Sequence, residues 1–171
     1  MRARAVSGGS RRDAHLTSVI ASAAPALLAY LRRRVGPDDA PDLVGETMVV
    51  AWRRVSELPA DAEGARMWLF GIARVSVLNH ARGERRRWAL ADRIREHTAM
   101  TAPPADDGAE VRDAIARLDA DLAELVRLVH WDRLSLAEAA ELLGIPASTA
   151  RGRYARAKEQ LRKALAAAAP A

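Results

Sequence analysis

The stretch LSLAEAAELLGIPASTARGRYARAKEQLR, residues 134–162, decides the fold. Ser135 is followed three residues later by Glu138, the spacing at which each side chain can satisfy the other's orphan backbone amide at a helix start. The run Leu136 to Leu143 therefore predicts a short helix, and Gly144 supplies the left-handed residue that ends it. After Ile145-Pro146 a second helix begins. At about 100° per residue, Ala150, Tyr154, Ala157, Leu161 and Leu165 fall within an arc of about 80°. That stripe is expected to pack on Leu136, Ala139, Ala140 and Leu143. Arg151, Arg153, Arg156, Lys158, Arg162 and Lys163 point elsewhere, with Glu159 the one acid among them. Solvated helix faces usually mix signs, so this face is read as gripping something negative. A capped helix, a glycine turn and a basic second helix make a helix-turn-helix. Its second helix opens with small residues, Ala147, Ser148 and Thr149, which let the backbone and its free amides approach a phosphate. Arg151 or Arg153 then reaches guanine edges, while Arg156, Lys158 and Arg162 suit phosphates.

Charge along the rest of the chain agrees. The net charge is +5 over 171 residues, but residues 1–90 carry +6, residues 91–145 carry −6 and residues 146–171 carry +5. Two basic blocks flanking an acidic middle imply a polyanion partner at both ends. Of the 27 basic residues only Lys158 and Lys163 are lysines. Arginine forks suit phosphate and guanine, although GC-rich coding produces the same bias. There are no cysteines, which excludes disulfides and thiolate chemistry. The four histidines show no metal-ligand spacing. Neither a nucleophile–base pair nor a glycine-rich phosphate loop appears, so neither catalysis nor a cofactor nor a metal is expected. No run approaches the roughly 20 apolar residues of a membrane span, and no apolar signal core follows the basic start. The chain reads as soluble and cytoplasmic.

The amino-terminal half is helical by the same periodicity. Residues 1–13 lack a pattern and are expected to be a disordered basic arm. Leu16, Val19, Ile20, Leu27, Leu28, Leu31 and Val35 then recur at helical spacing, with Pro25 kinking or restarting the helix and Gly36-Pro37 ending it. Asp38 or Asp39 can cap the next helix, with Pro41 in its first turn. Its inward face is expected to hold Val44, Met48, Ala51, Trp52 and Val55. A polar loop from Ala60 to Gly64 leads to a third helix with Trp68, Leu69, Ile72 and Val75 inward and a basic end at Arg82 to Arg87. Prolines and acids from Thr98 to Gly108 mark a linker. Periodicity returns with Val111, Ile115 and Leu118, then Leu122, Leu125, Val126 and Val129. No segment alternates at period two. The fold class is all-α: two small helical domains, 14–92 and 111–165, joined by a flexible acidic linker, 93–110, with a tail at 166–171.

Residue by residue, residues 134–162 resemble the carboxy-terminal domain four of the extracytoplasmic-function sigma factors of bacterial RNA polymerase. Leu134-Ser135, Glu138, Ala140, Leu143-Gly144-Ile145, Thr149, Arg153, Arg156-Ala157 and Leu161-Arg162 match that pattern. Ser148, Ala150, Arg151 and Gly152 replace the usual Gly, Val, Lys and Ser. The amino-terminal half resembles domain two of the same family through Asp42-Leu43-Val44, Glu46-Thr47, Ala51-Trp52-Arg53, Trp68-Leu69-Phe70, Ile72-Ala73-Arg74, Arg82 and Arg85-Arg86. Gly45 stands for a common Gln, Val75 for Asn and Asn79 for Asp.

The resemblance implies a sigma region 2-like helical bundle and a sigma region 4-like helix-turn-helix, in a protein that brings core RNA polymerase to promoters and opens DNA. Asp42, Glu46 and Arg53 would dock on the polymerase clamp coiled coil, although two acids early in a helix also complement its dipole. Trp52 is read as core, with docking the alternative. Arg74, Asn79, Arg82, Arg85 and Arg86 would recognise and melt the minus-ten element, with Arg87 on the same phosphate track. Trp68 and Phe70 could stack bases but are read as core, and His80 is read as exposed and without a chemical role. Ser148, Thr149, Arg151, Arg153, Arg156 and Lys158 would read the minus-thirty-five element, with the polymerase flap beside them. The linker acids Asp106, Asp107 and Glu110 would either mimic nucleic acid or merely belong to a tether. Family members are often held by an anti-sigma protein. The rival reading is a stand-alone helix-turn-helix regulator that binds duplex DNA without polymerase.

Overall fold

A computed structural model describes residues 3–91 and 109–168, and the side chains of 11–84 and 110–167. Every regular element among them is helical: α1 (Ala3–Arg53), a single 3-10 turn (Val55–Glu57), α2 (Ala62–Ala91), α3 (Ala109–Ala116), α4 (Ala120–His130), α5 (Leu136–Leu143) and α6 (Ala147–Ala168). They form two compact units, one of α1 and α2 and one of α3 to α6. Of the expected linker, residues 93–108 lie outside the described residues, and Glu110 falls in the first turn of α3.

In the first unit, α1 runs as two arms across Gly36, at φ 89° and ψ 169°. Only glycine takes that conformation without strain. The break is thus one residue long, and Pro37 opens the second arm where its fixed φ suits a first helical position. The expected cap at Asp38 or Asp39 is corrected to Gly36. The two acids sit instead in the first turn, where they complement the helix dipole. Pro25 is carried within the first arm. The backbone is helical from Ala3, with the weak helix formers Ser7, Gly8, Gly9 and Ser10 inside that first stretch.

The core of this unit is built from Leu16, Leu27, Tyr30 and Leu31 on the first arm, Ala40, Leu43, Thr47 and Ala51 on the second, and Leu69, Phe70 and Ala73 on α2. Tyr30 meets Phe70 edge to face, with ring centres 5.3 Å apart. The inward face of the second arm therefore differs from the expected one. Thr47 is buried because its hydroxyl donates to the Leu43 carbonyl at 2.7 Å, satisfying its polar atom within the helix. With Ala40 and Ala51 beside it, that small-residue face lets the helices approach closely. The bulkier Trp52 is turned outward and is 43% exposed, and Val75 on α2 is 55% exposed. The polar loop is shorter than expected, since α2 starts at Ala62. Asp61 caps it, its carboxylate accepting from the Gly64 amide at 2.7 Å. A Cβ at Gly64 would lie 2.8 Å from that carboxylate, so the cap requires glycine there.

Part of α1, within Arg11–Arg53, is long and apolar enough to cross a membrane by length and composition, with mean hydropathy 1.5. This corrects the expectation that no run approaches that size. The helix is broken at Gly36 and buries Leu16, Leu27, Tyr30 and Leu31 within the unit.

In the second unit, α6 packs against α3, α4 and α5. Ile115, Leu122, Ala123, Val126 and Ala157 form its core, with Leu118 and Leu161 against it. The capping box is present. Ser135 Oγ accepts from the Glu138 amide at 3.2 Å, and Glu138 Oε2 accepts from the Ser135 amide at 2.6 Å. Gly144 takes the left-handed conformation, φ 66° and ψ 35°, and its amide reaches the Ala140 and Glu141 carbonyls. These two local signals start and stop α5.

Candidate nucleic-acid interface

The stripe of α6 is placed as its spacing dictates. Ala150 and Ala157 are fully buried, and Tyr154, Leu161 and Leu165 are half-buried. The remaining faces carry the cations, and the structure sorts them by partner. At the helix start Ser148 and Arg151 are exposed and Thr149 is half-buried. No acid occupies this first turn. A Cβ at Gly152 would meet nothing within 4 Å. The Ala150 amide is the first to find a helical acceptor, the Pro146 carbonyl at 3.0 Å. The amides before it form the electropositive end to which a phosphate is drawn. Among the described residues Arg151 makes no ion pair.

Deeper along α6 the cations are engaged. Arg153 is half-buried and lies 3.2 Å from Asp121, while Arg156 donates to Asp119 at 3.3 Å. Lys158 sits over the Tyr154 ring at 5.0 Å. The Tyr154 hydroxyl pairs with His130 Nε2 at 2.9 Å, and the two rings stack. Arg162 and Lys163 share Glu159, and the Arg162 hydrogen bonds, aided by Lys163, hold that carboxyl below its ordinary range. The six expected residues thus lie on one helix in two groups. Ser148 and Arg151 stand open at its start with Thr149 half-buried between them, and Arg153, Arg156 and Lys158 are held from α4 or by a ring. Asp119, Asp121 and His130 were not legible as part of this surface. They belong to a different helix, and no spacing rule links residues so far apart in sequence.

The first unit presents a different surface. Asp42, Glu46, Val49, Trp52 and Arg53 all face outward on the second arm of α1. They recur at near-helical intervals, so acids, an apolar pair and a cation share one exposed stripe. The exposure of Trp52 corrects its expected place in the core. Between this arm and α2 lies a cleft of about 270 Å³ lined by Glu46, Val50, Arg54, Trp68, Gly71, Ile72, Val75, Ser76 and Asn79. It brings together two residues that the sequence assigned to separate tasks, Glu46 and Asn79. Trp68 Nε1 and Arg74 Nε are buried without a hydrogen-bond partner among the described residues. Asn79 is exposed and accepts from Arg82 at 3.3 Å. Arg85, Arg86 and Arg87 lie in α2, but their side chains are outside the described residues. Phe70 is core as read, whereas Trp68 is half-buried and lines the cleft. His80, expected to be exposed and without a role, is half-buried and lies 3.5 Å from Asp39, tying α2 to the start of the second arm. At the cleft rim Arg54 and Glu57 form a two-point pair. The hydrogen bond from Arg54 holds the Glu57 carboxyl below its ordinary range. Among the described residues no group of three or more His, Asp or Glu is placed to hold a metal ion.

Comparison with known proteins places both units. Residues 19–87 match the family model of sigma-70 region 2, and residues 108–161 match that of sigma-70 region 4. The chain is 28% identical over 167 residues to the ECF RNA polymerase sigma factor SigL of Mycobacterium tuberculosis, covering 94% of each. It is 37% identical over 138 residues to the ECF RNA polymerase sigma factor SigC of the same organism, covering 78% of this chain and 72% of that one. Among solved structures it is similar to the sigma factor RpoE of Bartonella quintana in complex with the anti-sigma factor NepR. The TM-score there is 0.68 at 25% identity, over 87% of this chain and 95% of that one.

Proposed function

The chain belongs to the sigma-70 family, in its extracytoplasmic-function group, and on that premise we propose how its two units divide the work of initiation. It is an alternative sigma factor: it binds core RNA polymerase, directs it to specific promoters and helps open the DNA. The chemistry of RNA synthesis belongs to the polymerase, and the sigma factor supplies recognition and melting in the cytoplasm. The second unit takes the minus-thirty-five element through the start of α6, with Ser148, Thr149 and Arg151 at the bases and Arg153, Arg156 and Lys158 at the backbone. The first unit takes the polymerase clamp on the stripe of Asp42, Glu46, Trp52 and Arg53. It takes the minus-ten element along α2, with Asn79 at an unpaired base and Arg74, Arg82, Arg85 and Arg86 along the strand.

The observation that carries the reading of α6 is its open start: a first turn without acids, an Arg151 with no ion pair among the described residues and open space over Gly152. The Bartonella quintana relative is bound to an anti-sigma factor, and a protein of that kind is proposed as a partner here. The test is run-off transcription with core polymerase. Promoter-dependent transcripts that disappear with Arg151→Ala are expected. Tight duplex binding without polymerase, and no transcript from any of several candidate promoters, would favour the stand-alone regulator. That rival leaves the exposed stripe of the first unit without a task.

A further inference from the structure

Two of the cations on α6 are held by acids of another helix. Arg153 Nη2 lies 3.2 Å from Asp121 Oδ2, and Arg156 Nη2 donates to Asp119 Oδ2 at 3.3 Å. Both acids stand at the start of α4. Asp119 is its N-cap residue, where an aspartate carboxylate ordinarily accepts an amide of its own first turn. It makes no such bond. Its carboxylate is turned instead to a residue 37 positions away in sequence. Stability does not account for this choice, because Arg156 and Asp119 are each 65% exposed and exposed pairs contribute little. What the pairs do change is the availability of charge. A free arginine beside a phosphate track strengthens binding to every duplex alike. An arginine resting on a carboxylate is given up more readily where a phosphate is close enough to take its place. Arg151, at the base-reading start, has no ion-pair partner among the described residues, so the held cations are those placed for the backbone.

We propose that Asp119 and Asp121 are positioning residues that set DNA specificity. They hold Arg156 and Arg153 back from sequence-independent contact and release them on a docked promoter. The proposal rests on the reading of α6 as the DNA helix. The experiment uses full-length protein assembled on core polymerase, bound to promoter duplex and to a duplex of scrambled sequence over a range of salt. Asp119→Asn should tighten binding to the scrambled duplex about three- to tenfold and steepen its salt slope by about 1, so that the promoter-to-scrambled ratio falls. Asp119→Ser, which keeps a capping oxygen without the charge, should do the same. In an Arg156→Ala background Asp119→Asn should have no further effect. If the slope and ratio stay unchanged in Asp119→Asn while Arg156→Ala makes the slope shallower by about 1, the holding role is overturned and the DNA reading stands. If Asp119→Asn acts equally in the Arg156→Ala background, the acid works through the general field, and the holding role is again overturned. If neither Arg153→Ala nor Arg156→Ala moves the slope, the reading of α6 falls and the proposal with it.

Discussion

The outward surface of α6 and that of the α1 second arm are both helical, yet they are built on opposite chemistry. On α6 the large apolar groups are turned inward or half-covered, and what faces solvent is charge. On the second arm and neighbouring α2, Val49, Trp52, Val75 and Leu78 stand in the open, while Thr47 lies buried. Exposed apolar groups of that size in one small unit mark a surface that meets protein or an unstacked base, whereas a cationic face without apolar groups meets phosphate. The difference separates a surface that mixes exposed apolar groups with charges of both signs from one that is largely cationic.

The largest expected effect tests whether the first unit's apolar exposure is deliberate or a symptom of a weak core. Phe70→Ala removes a fully buried ring and its contact with Tyr30, and should cost about 3–5 kcal/mol in denaturant unfolding. A loss under about 1 kcal/mol would mean that the core is elsewhere. Trp52→Ala should leave stability within about 0.5 kcal/mol but weaken core polymerase binding about 30-fold, as truncating an aromatic anchor does. Binding should weaken with salt less than DNA binding by α6 does, because an apolar pair, Val49 and Trp52, stands among the charges of that stripe. If Trp52→Ala instead lowers stability and spares polymerase, the contrast between the two surfaces is broken. Ser135→Ala removes one half of the capping box and should cost about 1 kcal/mol, seen as earlier melting with weaker duplex binding. The smallest effect concerns Glu159. Its carboxyl is held low by Arg162 and Lys163, so its contribution is present above the ordinary carboxylate pKa and is lost as pH falls through the depressed one. The group is fully exposed, and Glu159→Gln should melt with the parent at neutral pH in physiological salt. A clear drop there would show that the cluster at the end of α6 is structural.

The helix-turn-helix was legible because its signals are local. Ser135 and Glu138 are three residues apart, Gly144 follows the last apolar residue, and the stripe from Ala150 to Leu165 repeats at the helical period. The second arm of α1 was harder. Val44, Met48, Ala51, Trp52 and Val55 suggest an inward face by hydropathy; of these only Ala51 is fully buried, and Leu43 and Thr47 go in beside it. A hydroxyl bonded to its own helix can be buried, and small side chains let the helices close. Val75, read as inward, is exposed, while its neighbour Ser76 is buried. The cleft joining Glu46 to Asn79 depends on how the second arm lies against α2, which no periodicity encodes.

The sequence by itself determined the all-helical class, the capping box and glycine stop of α5, the two-unit division and the family, because each rests on contacts within a few residues or on a motif matched in order. Only the tertiary structure decided which side chains face solvent on the second arm and which arginines of α6 are free. Those outcomes depend on pairs such as Asp119 with Arg156, where the geometry of helix packing, rather than any local propensity, brings the two charges within reach.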